Sequence, residues 1–312
     1  MRSPLLFLVF NRPEPTARVF EVIKAAKPGR LYVAADGPRT GRAGEAERCA
    51  LTRQLATAVD WDCKVLTLFR DQNLGCKQAV SRAIDWFFEQ EEEGIILEDD
   101  CVPDPSFFRF CDELLERYRL DQRVALISGD NFQFGRKYGS ASYYFSRYVH
   151  IWGWASWRRT WNRYDRDAQA WPAFRDSGGL QRLLGSRRAE IRHWQNVFDK
   201  LYAGKVDTWD YQLNLAVWTQ GMVSLLPQRN LVRNIGFGDG ATHTTGASKF
   251  ANMASDEMDF PLQHPTSFEA CSEADDYTAH QMLVPPLGTR VLGKVKDLGR
   301  RYFRLPTTHP LA

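Results

Sequence analysis

An α/β fold on a mostly parallel central sheet is predicted by the first 132 residues, where short apolar runs alternate with stretches of helical pattern. Each run also stops at a turn rich in Asp, Asn or Gly. A third sign is Gly94-Ile95-Ile96-Leu97, apolar without a break, as a central strand covered on both faces must be. The first strand covers residues 5–10. Its seven apolar residues, Pro4 to Phe10, run into Asn11-Arg12-Pro13 with no small-residue cleavage site, so they read as a buried strand and not as a signal segment. Pro15-Thr16 opens a helix that Pro28-Gly29 closes. Residues 31–35 give the second strand, ending on Asp36-Gly37-Pro38. A helix over residues 44–59 leads to a third strand at 64–69. Asn73-Leu74-Gly75 begins a helix reaching about residue 91, and the strand at 94–97 ends on Glu98-Asp99-Asp100. A helix over residues 105–119 and a strand at 124–128 complete this half.

After Phe132 the texture changes, because eight of the ten Trp lie between Trp152 and Trp218, interleaved with Arg and Asp. Recognition is expected here. Helices are predicted over residues 181–203 and 208–219, with a strand near 223–226. A Gly-rich segment from Asn234 to Thr244 ends the compact part. The expected organisation is therefore one unit over residues 1–260, with a nucleotide-side half (1–132) and an acceptor half (133–260), followed by a tail (261–312). Residues 261–286 show little pattern. Beyond them Val291, Val295, Leu298, Tyr302 and Leu305 fall on one helical face among Arg290, Lys294, Lys296, Arg300, Arg301 and Arg304. A basic amphipathic helix with peripheral membrane contact through residues 290–305 is one reading. Docking onto the protein's own body, or disorder, is the other, and Gly293 and Gly299 weaken the helix.

Composition narrows the class. Forty-one Lys plus Arg against 38 Asp plus Glu leave a charge of +3, too little for the basic face that nucleic-acid binding needs. Aromatics at 13% argue for a packed chain. No apolar stretch is long enough to span a bilayer. The six Cys contain no CxxC pair, which implies free thiols and a cytoplasmic setting.

The triplet Glu98-Asp99-Asp100 carries the chemistry. Crowded carboxylates repel and raise one another's pKa unless something cationic meets them. Mg²⁺ or Mn²⁺ would remove that conflict, since hard cations take one or two protein carboxylates and complete their shell with water and phosphate oxygens. Ligands of open α/β sheets sit at the carboxyl ends of strands, where Asp36, Asn73 and the triplet all fall. A solvated strand-to-helix turn, with Asp104 capping the next helix, is the plain alternative.

In order along the chain, Phe10-Asn11-Arg12-Pro13, Asp36-Gly37, Asn73-Leu74-Gly75, Leu97-Glu98-Asp99-Asp100 with Pro105-Ser106-Phe107-Phe108, Ser128-Gly129-Asp130-Asn131, Gly153-Trp154, Thr208-Trp209-Asp210-Tyr211-Gln212, and Ile235-Gly236-Phe237-Gly238 through Thr242-His243 occur. This ordered set, over residues 5–245, resembles the GT-A glycosyltransferases with their Rossmann-like sheet. It is most similar to bacterial family 2-like nucleotide-diphospho-sugar transferases and, over fewer motifs, to N-acetylglucosaminyltransferase I. The resemblance implies that Arg12 and Asp36 flank the nucleotide base, that Asp100 ligates Mn²⁺ or Mg²⁺, that Asp99 lies near the ribose, and that Glu98 bonds a donor-sugar hydroxyl. It also implies that Asp210 is the general base of an inverting transfer and that His243 lies by the metal and diphosphate. Trp154 and Trp209 are candidate ligand platforms. Asp207 is a rival base. The implied partners are a UDP-sugar donor and a carbohydrate acceptor of bacterial surface polysaccharide or glycoconjugate synthesis.

Rival classes remain. A sugar nucleotidyltransferase would open with a Gly-rich loop and a Lys after the first strand, where this chain has Asn11-Arg12-Pro13-Glu14-Pro15. A phosphatase of the haloacid-dehalogenase type would place an Asp nucleophile there. A non-catalytic nucleotide- or glycan-binding protein on the same scaffold is the remaining alternative.

Overall fold

The structure is a computed structural model that describes residues 1–237, 249–251 and 253–283. Eight strands form one sheet in the order β3-β2-β1-β4-β8-β6-β9-β7, with β1 at Leu5–Val9, β2 at Arg30–Ala35, β3 at Lys64–Phe69, β4 at Glu93–Glu98, β6 at Val124–Ser128, β7 at Tyr143–Ser146, β8 at Trp154–Trp157 and β9 at Val223–Pro227. The sheet is mixed. The run β3-β2-β1-β4 is parallel, while β8 is antiparallel to both its neighbours, β4 and β6, and β7 is antiparallel to β9. Six strands thus point one way, and two reverse. A small second sheet pairs β5 (Cys101–Pro103) with β10 (Val232–Asn234).

Alternation along β1 shows why helices cover both faces. Leu5, Phe7 and Val9 enter one core and Leu6 and Leu8 the other, so neither side can be left to solvent. The first core is closed by α1 (Pro13–Ala26) and α4 (Ser106–Tyr118), whose Phe107, Phe110, Cys111, Leu114 and Leu115 are fully buried. The second is closed by α3 (Gly75–Gln90) through Ile84, Phe87 and Phe88, and by α8 (Arg188–Tyr202) and α9 (Asp210–Thr219). Burying one such Phe contributes roughly 1.5–3 kcal/mol. Gly94 is where β4 meets α3: a Cβ there would lie 2.3 Å from Phe87 Cζ.

Several elements depart from the sequence-based expectation. The helix expected over residues 181–203 is two, α7 (Gly179–Leu184) and α8, because Gly185 adopts φ 61° and breaks the run. The stretch 261–286, expected to lack pattern, contains α10 (Ser272–Leu283). This helix is bound to the body: Asp275 accepts from Ser146 Oγ (2.5 Å) and pairs with Arg147 (2.8 Å), and Gln133 Nε2 donates to Thr278 Oγ1 at 2.8 Å. The basic segment 290–305 lies outside the described residues. Among the described residues no helix is long and apolar enough to cross a membrane.

Candidate active site

The parallel strands carry the chain to one rim, and the acidic triplet forms where β4 reaches it. Glu98 ends the strand, and Asp99 and Asp100 make the turn into β5. The loop after β1 meets them: Asp99 accepts from the Phe10 backbone N–H at 3.3 Å and from the Arg12 guanidinium, whose Nη1 also lies 3.0 Å from Asp100 Oδ2. Arg12 thus bridges the last two acids of the triplet. Burial works against its charge, yet Asp99 and Asp100 hold its pKa well above the ordinary value.

One guanidinium does not neutralise the group. Burial, then repulsion from Asp100 and Asp99, pushes the Glu98 carboxyl up to about 8, and Asp210 adds to that repulsion. Asp99 is pushed up to about 6 by burial, with Arg12 opposing. Among the described residues no hydrogen-bond donor meets the Glu98 carboxylate. Among the described residues, Asp100, Asp99 and Asp210 thus all act on Glu98, with Arg12 opposing them.

On the far side of Asp100 the chain returns along β10. Ile235 N–H donates to the Asp100 carbonyl at 2.8 Å, and Gly236 passes so close that a Cβ would fall 2.0 Å from Asp100 Oδ2. Only glycine leaves that oxygen its space. The set is all-oxygen and under-neutralised, with a carboxylate kept clear by Gly236, and it fits a hard divalent cation at Asp100. Among the described residues no three His, Cys, Asp or Glu side chains converge into a closed cage. A cation here would draw the rest of its shell from ligand oxygens, water or residues outside that set.

Asp210 opens α9, with the Thr208 hydroxyl donating to its carboxylate and Trp209 at the N-cap. Below it Tyr164 OH donates to the Trp209 carbonyl at 3.0 Å, and Gln212 Nε2 donates to the Thr208 carbonyl at 2.7 Å, which fixes this turn. Asp207, the rival base, is otherwise engaged: its carboxylate accepts from the N–H groups of Cys76 (3.1 Å) and Lys77 (3.0 Å) at the start of α3. Asp207→Ala is expected to lower stability by about 1 kcal/mol through loss of this cap, measured by urea unfolding, while turnover stays within a few-fold of the parent.

Asp36 follows directly on β2 and is buried. Its carboxylate accepts from Gly37 N–H at 3.0 Å and from Leu74 N–H at 3.0–3.1 Å, while Asn73 Nδ2 donates to the Gly37 carbonyl at 2.9 Å. These bonds explain why Asp36-Gly37 and Asn73-Leu74-Gly75 occur together: they lash two rim loops to each other. A Cβ on Gly37 would lie 2.4 Å from the Gln72 backbone, so the lashing needs glycine. Burial raises the Asp36 pKa, and the backbone donors and Arg70 work the other way.

Trp154 and Trp209, the candidate ligand platforms, sit in the second core, 1% and 3% exposed, and stack on each other with centroids 5.8 Å apart. His243, expected beside the metal, lies outside the described residues.

Sequence reasoning missed Glu45. It is fully buried, accepts from Asn11 Nδ2 at 2.9 Å, and is gripped by Arg39, which holds its carboxyl down at about 2. It thereby pins the loop after β2 against the loop after β1. A Glu in the first turn after Gly44 was the available signal, but the same pattern also marks an ordinary helix start.

No family model matches the chain, and no curated protein matches it. Solved structures similar to it include a mannosyltransferase from Pyrobaculum calidifontis in complex with GDP-Man and Mn²⁺, at 12% identity over 71% of this chain and 70% of that one, TM-score 0.40. Another is a mannose-1-phosphate geranyltransferase from Thermus thermophilus, at 13% identity over 73% of this chain and 74% of that one, TM-score 0.35. A UDP-glucose pyrophosphorylase complexed with UDP-glucose is 11% identical over 47% of this chain and 62% of that one, TM-score 0.27. Each overlaps this chain only in part.

Proposed function

We propose that the protein is a metal-dependent glycosyltransferase that moves a sugar from a UDP-linked donor to a carbohydrate acceptor with inversion. The observation that carries this reading is the acidic triplet at the end of β4, with Asp210 at the start of α9 acting on Glu98 and the Arg12 guanidinium between Asp99 and Asp100. Such a set suits a site completed by a divalent cation and a diphosphate.

Asp100 would hold Mn²⁺ or Mg²⁺, and that ion supplies charge neutralisation for the departing diphosphate. Arg12, already seated between Asp99 and Asp100, offers a second positive group to the same leaving group or to the base. Asp36 and the Asn73 loop shape the base end, Asp99 lies toward the ribose, and Glu98 accepts from a donor-sugar hydroxyl. Asp210 is steadied by the Thr208 hydroxyl and takes the proton from the acceptor hydroxyl as that oxygen attacks the anomeric carbon. A single base opposite the leaving group makes the displacement inverting. His243 remains a candidate neighbour of the diphosphate.

The test is the identity of the released product. UDP appearing from a UDP-sugar, dependent on Mn²⁺ and on an added acceptor, supports the transfer. Consumption of a nucleoside triphosphate with release of pyrophosphate identifies a sugar nucleotidyltransferase instead. Donor binding without either product identifies a binding protein.

A further inference from the structure

A second feature of the same rim is not used by the reading above. The turns leaving β6 and β9 enclose a cleft of about 570 Å³, lined among others by Phe134, Lys137, Arg229, Lys249 and Asp256. Three cations face one carboxylate there. Arg229 is already paired with Asp259 at 2.5 Å. Lys249 Nζ donates to the neutral Gln281 Oε1 at 2.5 Å and lies 5.3 Å from the Phe250 ring centroid. Among the described residues neither Lys249 nor Lys137 meets a carboxylate, so two ammonium charges in the cleft have no anionic partner.

The cleft also presents an aromatic face. Phe134 is 44% exposed and sits at φ 51°, in the left-handed region that non-glycine residues avoid. Gly135 follows at φ 85°. Phe250 backs the ring with centroids 5.8 Å apart. A large apolar ring held outward by an unfavourable backbone, beside two ammonium groups that meet no carboxylate among the described residues, matches the two needs of an acidic saccharide: a flat surface for the C–H face of a sugar ring and cations for its charge.

The cleft's position ties it to the acids. Strands β4, β8, β6 and β9 are neighbours in that order, so the cleft lies roughly 10–15 Å along the rim from the triplet at the usual spacing between strands. One strand joins the two places. Asn230 lines the cleft, β10 follows it, and the next residues, Ile235 and Gly236, contact Asp100. An oligosaccharide with its reacting hydroxyl at Asp210 could extend along this line.

We infer that the cleft is an acceptor subsite for a negatively charged sugar, so that the acceptor is an acidic glycan. The role as acceptor subsite rests on the transferase reading, whereas the preference for an anionic sugar does not. The test is calorimetric titration of the full chain with a glucuronate-containing disaccharide, with glucose 6-phosphate, and with neutral cellobiose. Binding of either anion at least fivefold tighter than cellobiose, weakened at least fivefold in the Lys137→Glu and Lys249→Glu variants, is the expected result. The better of the two anions tells carboxylate from phosphate. Equal binding of cellobiose, or anion binding unchanged in both variants, overturns the inference. A Mn²⁺-dependent thermal shift with UDP-sugar, measured on the same variants, shows that they fold and separates the two sites. If the parent chain lacks that shift while its anion binding holds, the donor reading fails and the cleft stands.

Discussion

Asp100→Ala is expected to remove the Mn²⁺-dependent thermal shift with UDP-sugar and to lower turnover about 10³-fold, the scale of losing a preorganised charge partner at a leaving group. The fold should survive. Arg12 keeps its contact with Asp99, so the substitution leaves no guanidinium stranded in the interior, and the Asp100 carbonyl still receives the Ile235 N–H at 2.8 Å. Unfolding in urea should therefore move little, and circular dichroism should be unchanged. A variant that binds donor with Mn²⁺ as the parent does would remove Asp100 from the metal.

Asp210→Asn is expected to act on chemistry alone. The amide keeps the size of the carboxylate and can still accept from the Thr208 hydroxyl, but it cannot take a proton. Turnover should fall by roughly 10²–10⁴, with donor affinity and stability near the parent values. The contrast with Asp207→Ala is informative, because Asp207 spends its carboxylate on the start of α3 and should cost stability with little loss of rate. If the two variants exchange these behaviours, the base is Asp207.

The parallel half was largely legible. β3 and β6 have the bounds expected for them, and β1, β2, β4 and the helices between differ by a few residues at their ends. Local pattern sufficed there, because each apolar run pairs with another of the same kind. The second half was not legible in the same way. β8 is a four-residue run, Trp154 to Trp157, whose strand character comes from filling the slot between β4 and β6, a tertiary fact that no local window contains. The three-residue β5 and β10 are set only by each other. Trp154 and Trp209 looked like ligand faces because aromatic rings beside Arg serve both cores and sugars, and their burial is likewise a tertiary fact that no local window contains. At the site, the residue types and their order could be read. That Arg12 bridges Asp99 and Asp100 could not, since it depends on how the first loop crosses the fourth strand.

That bridge has a consequence for handling the protein and for its life in a cell. A chain that carries its own counter-ion does not have to wait for metal in order to fold, unlike domains whose architecture collapses under a chelator. Treatment with EDTA should leave it compact. On the proposed reading an incoming ion would have to compete with a tethered guanidinium, so it is expected to bind loosely by itself and firmly only together with a nucleotide.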